Sequence, residues 1–143
     1  MITYPYTIIE KPWGYEQILE IEDNLNDSNQ TITKNLVVFE GEKISYQFHY
    51  ERTETWLVVS GDCIITIAGK EYKAFPGTKW KIDKEVYHRI QALSDVVIYE
   101  VSKDVAEGDI VRVEDDYGRK EKKWPASLAD CHQRDHLGLD DES

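Results

Sequence analysis

Four side chains capable of binding a metal ion are grouped by their spacing, three of them within GEKISYQFHYERTETWLVVSG (41–61). A β-strand would place Gln47 and His49 on the same face, because strand side chains alternate between two faces. The five residues from His49 to Glu54 leave room for a bend into a neighbouring strand, and His88 stands where a later strand begins. An amide oxygen, imidazole nitrogens and a carboxylate suit zinc first, with manganese, iron, cobalt or nickel as alternatives.

The same spacing is also typical of the solvent-exposed face of an ordinary strand. A strand histidine is more often hydrogen-bonded to protein or water than bound to a metal, and glutamine is an uncommon, weak ligand. Spacing by itself therefore favours a solvated face and leaves a metal centre open as the alternative. A metal held by these side chains with one open position would act as a Lewis acid.

Short strands separated by turns make up most of the chain. In YTIIEKPWGYEQILEI (6–21), a Pro-Trp-Gly break separates two β-rich pieces, because proline and glycine disfavour a continuous strand. Residues 31–41 and 43–50 alternate as strands do, and Ser60-Gly61-Asp62 and Ala68-Gly69-Lys70 predict turns between later strands. Many short strands with frequent turns indicate a β-sandwich or a barrel.

Composition limits the class of protein. The 143 residues are enough for one domain with its own core. A net charge of -11, from 17 basic and 28 acidic residues, argues against general binding to nucleic acid or anionic membranes, which need a positive field. Two distant cysteines and the lack of a signal peptide or an 18-residue apolar run predict a soluble cytoplasmic protein with free thiols.

The composition changes after residue 103. DVAEGDIVRVEDDYGR (104–119) is dense in charge but keeps enough apolar residues to lie against the barrel. We therefore predict a barrel domain over residues 1–119, including the segment 108–119, and a C-terminal tail over 120–143. Pro125 makes a short helix over 126–136 one option for that tail.

A family resemblance goes further than spacing does. Gly41, Gln47-x-His49, Glu54, Gly61, Pro76-Gly77 and His88 together resemble the two-part signature of the cupin superfamily. Cupins usually have histidine where Gln47 stands, and a glutamine preceded by Ser45 is similar to the phosphomannose isomerases. KPWGYEQIL, ISYQFHYERTETWLVVSG and GDIVRVEDDYGR extend the resemblance to the type II mannose-6-phosphate isomerase domain over most of residues 8–119.

The resemblance implies a fold, a reaction and partners. The fold would be an all-β cupin double-stranded β-helix, which is a jelly-roll barrel. The activity would be metal-dependent interconversion of mannose 6-phosphate and fructose 6-phosphate, in GDP-mannose supply and polysaccharide biosynthesis. In the family this domain commonly follows a guanylyltransferase domain, which we expect this chain to lack, so a separate guanylyltransferase is a candidate partner. Small barrels of this type often pair through a sheet edge, which predicts a homodimer.

By the same resemblance, Gln47, His49, Glu54 and His88 would hold the metal. The reaction also needs a proton carrier and stabilisation of negative charge. In a strand, Arg112, Glu114 and Asp116 would share one face, and we assign catalysis to Arg112 and Glu114. The remaining substrate-binding candidates are Ser45, Arg52, Lys81, Asp116, Tyr117 and Arg119. Without the resemblance, residues 108–119 are more typical of a solvated segment whose opposite charges pair with each other.

Two other functions remain open from the sequence. One is a different sugar-phosphate isomerase or epimerase on the same site, and the other is a non-catalytic sugar-binding or regulatory cupin. The segment 112–119 favours an enzyme. Near His88 the chain reads KIDKEVYHRIQA (81–92), without the proline that the family usually has there, so we expect a different turn at Asp83-Lys84-Glu85.

Overall fold

The structure, a computed structural model, describes residues 2–24, 29–106 and 108–114. In that part of the chain eleven strands form two antiparallel sheets. The strands are β1 (Ile2–Lys11), β2 (Gly14–Asp23), β3 (Gln30–Val38), β4 (Tyr46–Phe48), β5 (Thr53–Ser60), β6 (Cys63–Ile67), β7 (Lys70–Ala74), β8 (Lys79–Ile82), β9 (His88–Ala92), β10 (Val96–Val105) and β11 (Val111–Glu114).

The two sheets interleave strands that are distant in sequence. The six-stranded sheet has the order β1-β2-β3-β10-β5-β8, and the five-stranded sheet has the order β11-β4-β9-β6-β7. Strands β5 and β6 follow each other directly but belong to different sheets, as in a jelly roll, so the chain crosses between sheets at the Ser60-Gly61-Asp62 turn. The all-β cupin prediction is confirmed.

A core packed between the sheets holds them together. Both sheets contribute to it, for example Leu36 and Ile98 from the larger sheet and Ile65 and Ile90 from the smaller one. Each fully buried side chain of this size contributes about 1.5–3 kcal/mol. Cys63 is a free cysteine in this core, and burial, together with the charge of Asp62, raises the pKa of its thiol to about 11.

The break predicted at Pro-Trp-Gly separates β1 from β2, which pair as a hairpin. Trp13, at the tip, is fully buried in the core. Gly14 is required by a close approach, because a Cβ there would overlap the carbonyl oxygen of Val37. The break is therefore a packed corner of the barrel.

Strand β4 is shorter than the strand predicted over 43–50. Two side chains bind the backbone on either side of β4. The Gln47 amide donates to the carbonyl oxygen of Ser45 at 3.3 Å, before the strand. The Asp109 carboxylate accepts three backbone N–H groups just beyond it. Those bonds turn the chain away from the ladder after Phe48. Lys43 keeps only an isolated bridge to Gln91.

Within the described ranges, no helix is long and apolar enough to span a membrane. The predicted boundary at residue 119, the tail 120–143 and its helix over 126–136 lie outside the described residues.

Candidate metal centre

The four predicted ligands all point into the barrel. Gln47 lies in β4 and His88 is the first residue of β9, and the two are direct cross-strand partners, so they share a face. His49 follows β4 directly, and Glu54 enters from β5 of the opposite sheet. None of the four is more than 3% exposed. The interpretation of this stretch as a solvated strand face is therefore wrong.

Three of these side chains converge on one point. His49 Nε2 lies 3.2 Å from Glu54 Oε2, and His88 Nε2 lies 3.8 Å from Glu54 Oε1. One ligand atom from each of the three residues lies within 4.8 Å of the others. The cluster therefore joins the two sheets at the place where a divalent ion would be held.

Backbone carbonyls orient both imidazoles. His49 Nδ1 lies 2.6 Å from the Asp109 carbonyl oxygen, and His88 Nδ1 lies 2.9 Å from the Val86 carbonyl oxygen. A carbonyl only accepts hydrogen bonds, so each Nδ1 carries a proton and each Nε2 faces Glu54. This is the arrangement by which proteins orient metal-binding histidines.

Hydrogen bonds to Ser45 orient the Gln47 amide. Its Nε2 donates to Ser45 Oγ at 2.9 Å and to the Ser45 carbonyl oxygen at 3.3 Å, so Oε1 faces away from Ser45. Gln47 Oε1 and His49 Nε2 are buried and have no hydrogen-bond partner among the described residues. Buried acceptors without donors are costly. A cation between them would remove that cost, and two imidazole nitrogens, a carboxylate and an amide oxygen fit a divalent ion.

The charges around Glu54 keep this donor set in its metal-binding form. Burial alone would raise the pKa of Glu54, but His88, His49 and the Arg52 guanidinium 3.3 Å away together hold it well below its usual value. Burial lowers the pKa of His88 to about 4 although Glu54 opposes the change. Burial and the nearby Glu54 raise the pKa of Glu100 to about 8. At neutral pH the cluster therefore combines an ionised Glu54 with a neutral His88.

The structure brings Arg112 to this cluster. Arg112 in β11 is the direct cross-strand partner of Gln47 and is 3% exposed, so its side chain enters the barrel on the same side. A register shift follows, which aligns Glu114 with Tyr46 instead of Ser45. The strict alternation from which Glu114 was predicted to share the face of Arg112 is interrupted there.

The other predicted substrate residues have different positions. Ser45 is buried beneath Gln47, and Arg52 is buried against Glu54, so both support the ligands. Lys81 is exposed, and its neighbours Trp80 and Ile82 face the core; the expectation that it lies at the site is wrong, because strand alternation turns it outward. Asp116, Tyr117 and Arg119 lie outside the described residues.

Sequence reasoning missed three residues that support the cluster: Asp109, Glu100 and the polar edge of Trp56. Asp109 read as one more charge in an acidic segment, although it directly precedes a short apolar run. The Trp56 N–H donates to Glu54 at 3.0 Å. Strand alternation could have identified Trp56 and Glu100, because both occupy the inward-facing positions of their strands. The turn expected near Asp83-Lys84-Glu85 is present at Lys84 and Glu85.

Solved structures with a similar fold support the cupin architecture. KdgF from Halomonas sp. matches with a TM-score of 0.60 and 13% identity, over 71% of this chain and 88% of that one. An RmlC-like cupin from Shewanella frigidimarina also matches with a TM-score of 0.60, at 14% identity, over 71% of this chain and 86% of that one. At this identity the likeness concerns the fold alone.

Curated relatives are longer proteins. A mannose-1-phosphate guanylyltransferase of Salmonella montevideo is 31% identical over 115 residues, which are 78% of this chain and 23% of that protein. The alginate biosynthesis protein AlgA of Pseudomonas aeruginosa is 27% identical, and the xanthan biosynthesis protein XanB of Xanthomonas campestris is 28% identical, with the same coverage of each chain. This chain thus spans about a quarter of the length of the relatives that it matches.

The family model of the mannose-6-phosphate isomerase C-terminal domain matches residues 4–115, which include every described strand from β2 to β11 and the whole metal-binding cluster. The relatives and the fold agree with that match. The chain belongs to the mannose-6-phosphate isomerase C-terminal family, a family of cupin sugar-phosphate isomerase domains.

Proposed function

We propose that this protein interconverts mannose 6-phosphate and fructose 6-phosphate with the help of a divalent metal ion. The observation that carries the proposal is the buried His49–Glu54–His88 cluster, with Arg112 placed beside Gln47 at its edge, in a chain of the isomerase family. A cluster of inward lone pairs next to a buried cation is a poor structural core but a suitable site for an anionic sugar.

Gln47, His49, Glu54 and His88 would hold the metal, and zinc is the ion we propose first. When bound, such an ion supplies positive charge that orients and polarises an open-chain sugar. The protein's own contribution is orientation, because Ser45, Asp109 and Val86 fix Gln47, His49 and His88 through hydrogen bonds. Manganese, iron, cobalt and nickel suit the same donors.

The reaction moves a proton between C2 and C1 of the sugar through a cis-enediol. We assign the proton transfer to Glu114, which follows Arg112 in β11. Arg112 would pair with an enediolate oxygen or with the phosphate, since its planar guanidinium offers two parallel donors to an anion. Asp116, Tyr117 and Arg119 continue the same segment and are our candidates for further substrate contacts.

The names of the relatives suggest where the activity would be used. They include mannose-1-phosphate guanylyltransferases and proteins of alginate and xanthan biosynthesis. We therefore place the protein in the cytoplasm, in GDP-mannose supply for polysaccharide biosynthesis, as a homodimer. Because several relatives carry the name mannose-1-phosphate guanylyltransferase, a guanylyltransferase is the partner that we propose.

The proposal is tested with the full chain, stripped of metal and reloaded with Zn²⁺, Mn²⁺ or Co²⁺. The loaded protein should convert fructose 6-phosphate to mannose 6-phosphate, and a chelator should abolish the conversion. Glu54→Gln should lower the rate roughly 100-fold or more, because it removes the charged ligand and the negative charge that Arg52 contacts. Arg112→Met should lower it by a similar factor.

Lys79→Ala is the matched control, because Lys79 is exposed on the outer face of β8. It should retain the parent rate. A protein that binds metal but converts no sugar phosphate would favour the non-catalytic cupin, and turnover of a different sugar phosphate would favour the other isomerase or epimerase. A rate that does not respond to the chelator would remove the metal from the reaction.

A further inference from the structure

A row of buried ionisable groups lies behind Glu54 on the inner face of the six-stranded sheet. Glu16, Lys34 and Glu100 come from β2, β3 and β10, and none is more than 1% exposed. Lys34 Nζ lies 3.0 Å from Glu16 Oε1 and 3.7 Å from Glu100 Oε1. None of these three residues has a part in the proposed reaction.

Trp56 connects this row to the metal cluster. Its indole N–H lies between two carboxyl groups, 3.0 Å from Glu54 Oε1 and 2.8 Å from Glu100 Oε2. Glu100 is itself fixed on its other oxygen by the Ser102 hydroxyl at 3.1 Å and by Lys34. A continuous set of polar contacts therefore runs from Lys34 through Glu100 and Trp56 to Glu54.

These contacts hold Glu54 from both sides. Trp56 contacts Oε1, the oxygen that faces His88, and Arg52 contacts Oε2, the oxygen that faces His49. The carboxylate plane is thereby fixed relative to both imidazoles. Apolar side chains of similar volume would pack this region without the desolvation cost of buried polar and charged groups, so stability alone does not explain the row.

We infer that Glu100, held by Lys34, is a positioning residue that acts through the Trp56 indole to orient Glu54 for metal binding. The inference rests on the metal site of the proposed function but not on the reaction. It predicts that changes in this row alter metal affinity although none of its members contacts the ion. Changes to groups that orient metal ligands typically weaken binding by about 10–100-fold.

The test is a titration of the metal-free full chain with Co²⁺. Calorimetry measures the affinity, and visible absorption reports the environment of the bound ion. Trp56→Phe keeps the ring and deletes the N–H, and Glu100→Met keeps the volume and deletes the acceptor. Each should weaken Co²⁺ binding about 10–100-fold and change the absorption spectrum. Glu100→Gln retains an acceptor for the indole and should stay within about threefold of the parent, by the same scale.

Ile98→Val is the matched structural control, because Ile98 is fully buried on the same inner face of β10, two residues from Glu100. It should lower the melting temperature and leave the cobalt affinity and spectrum unchanged. If Trp56→Phe and Glu100→Met bind cobalt as tightly as the parent, or if Ile98→Val weakens binding equally, the positioning role is overturned. If Glu100→Met does not fold, Trp56→Phe decides alone.

Failure of this inference is distinguishable from failure of the proposed function. A parent protein that binds cobalt but isomerises nothing would overturn the reaction while the affinity series still decides the role of Glu100. A parent protein that binds no divalent ion would overturn both, because the metal site itself would then be absent.

Discussion

Asp109 fixes the backbone between two of the proposed metal ligands, His49 and Glu54. Its carboxylate accepts the backbone N–H groups of Tyr50, Glu51 and Arg52 at 2.6, 2.9 and 3.1 Å, and its carbonyl oxygen accepts from His49. One side chain therefore sets the path of the chain between β4 and β5. A carboxylate that accepts several N–H groups forms hydrogen bonds of the stronger, charge-assisted kind.

We predict that Asp109→Ala destabilises the protein by about 3–5 kcal/mol, because one buried and two part-buried N–H groups lose their acceptor. Metal binding should be lost with it, since His49 and Glu54 flank the loop. The measurement is urea denaturation of the metal-free chain, followed by a zinc titration.

Asp95→Ala is the control for Asp109→Ala. Asp95 also accepts a backbone N–H, from Glu40 at 2.7 Å, but the bond is exposed. Its loss should cost about 1 kcal/mol or less and leave zinc binding intact. Equal effects of the two substitutions would contradict the role assigned to Asp109.

Two glycine turns between strands separate the cost of a positive φ from the cost of close packing. Gly61, between β5 and β6, and Gly69, between β6 and β7, have nearly identical φ values of +83° and +82°. A Cβ on Gly61 would overlap the backbone of Asp95 and Val96 at the start of β10, whereas a Cβ on Gly69 would meet nothing within 4 Å.

Gly69→Ala should therefore cost only the strain of a positive φ, about 1–2 kcal/mol. Gly61→Ala should cost at least about twice that, because the backbone of β10 must also move. The urea midpoints of both variants measure the difference. A larger loss for Gly69→Ala would show that the crossing between the sheets is not as tightly packed as the structure has it.

The local elements followed from the sequence because alternation and turn residues act over short distances. Alternation placed Gln47 and His49 on one face, and Ser-Gly-Asp and Ala-Gly-Lys marked turns. Alternation does not say which face becomes the interior, and the burial of that polar face was therefore inferred only from the family resemblance. The difference between Gly61 and Gly69 was also hidden, since it depends on β10, more than thirty positions later.

The remaining site residues were harder to predict because non-local contacts decide them. Glu100 and Lys34 are buried, and each contacts an oppositely charged residue type from another strand. Lys81 looked like a substrate cation, and its strand turns it outward. The register of β11 shifts after Arg112, which no pattern within β11 indicates.

At the scale of the whole molecule, the outer face of the six-stranded sheet is the surface that fits the proposed homodimer. The centre of this face carries uncharged cross-strand rows, although the chain has a net charge of -11. Charged side chains border these rows, with Glu20 opposite Thr33 and with Lys79 and Lys81 opposite Leu57 and Thr55. The rows are Tyr15, Val37 and Val97; Gln17, Asn35, Tyr99 and Leu57; and Thr33, Val101 and Thr55. An uncharged centre lets two copies of an acidic chain approach with little repulsion.

Light scattering coupled to size exclusion should therefore give twice the mass of the chain. Tyr99→Lys should give the monomer, because it places two like charges in a symmetric contact. Tyr87→Lys is the matched control, since Tyr87 is equally exposed, at 39%, but lies before β9 in the smaller sheet. A parent that runs as a monomer would contradict the homodimer.

NMR in D₂O tests the proposed isomerisation by following the substrate itself. The zinc-loaded chain should convert mannose 6-phosphate to fructose 6-phosphate and place solvent deuterium at C1 of the product, because the carried proton exchanges with water during the enediol step. The metal-free chain and Glu54→Gln should do neither. A zinc-loaded, folded protein that leaves mannose 6-phosphate unchanged would contradict the account.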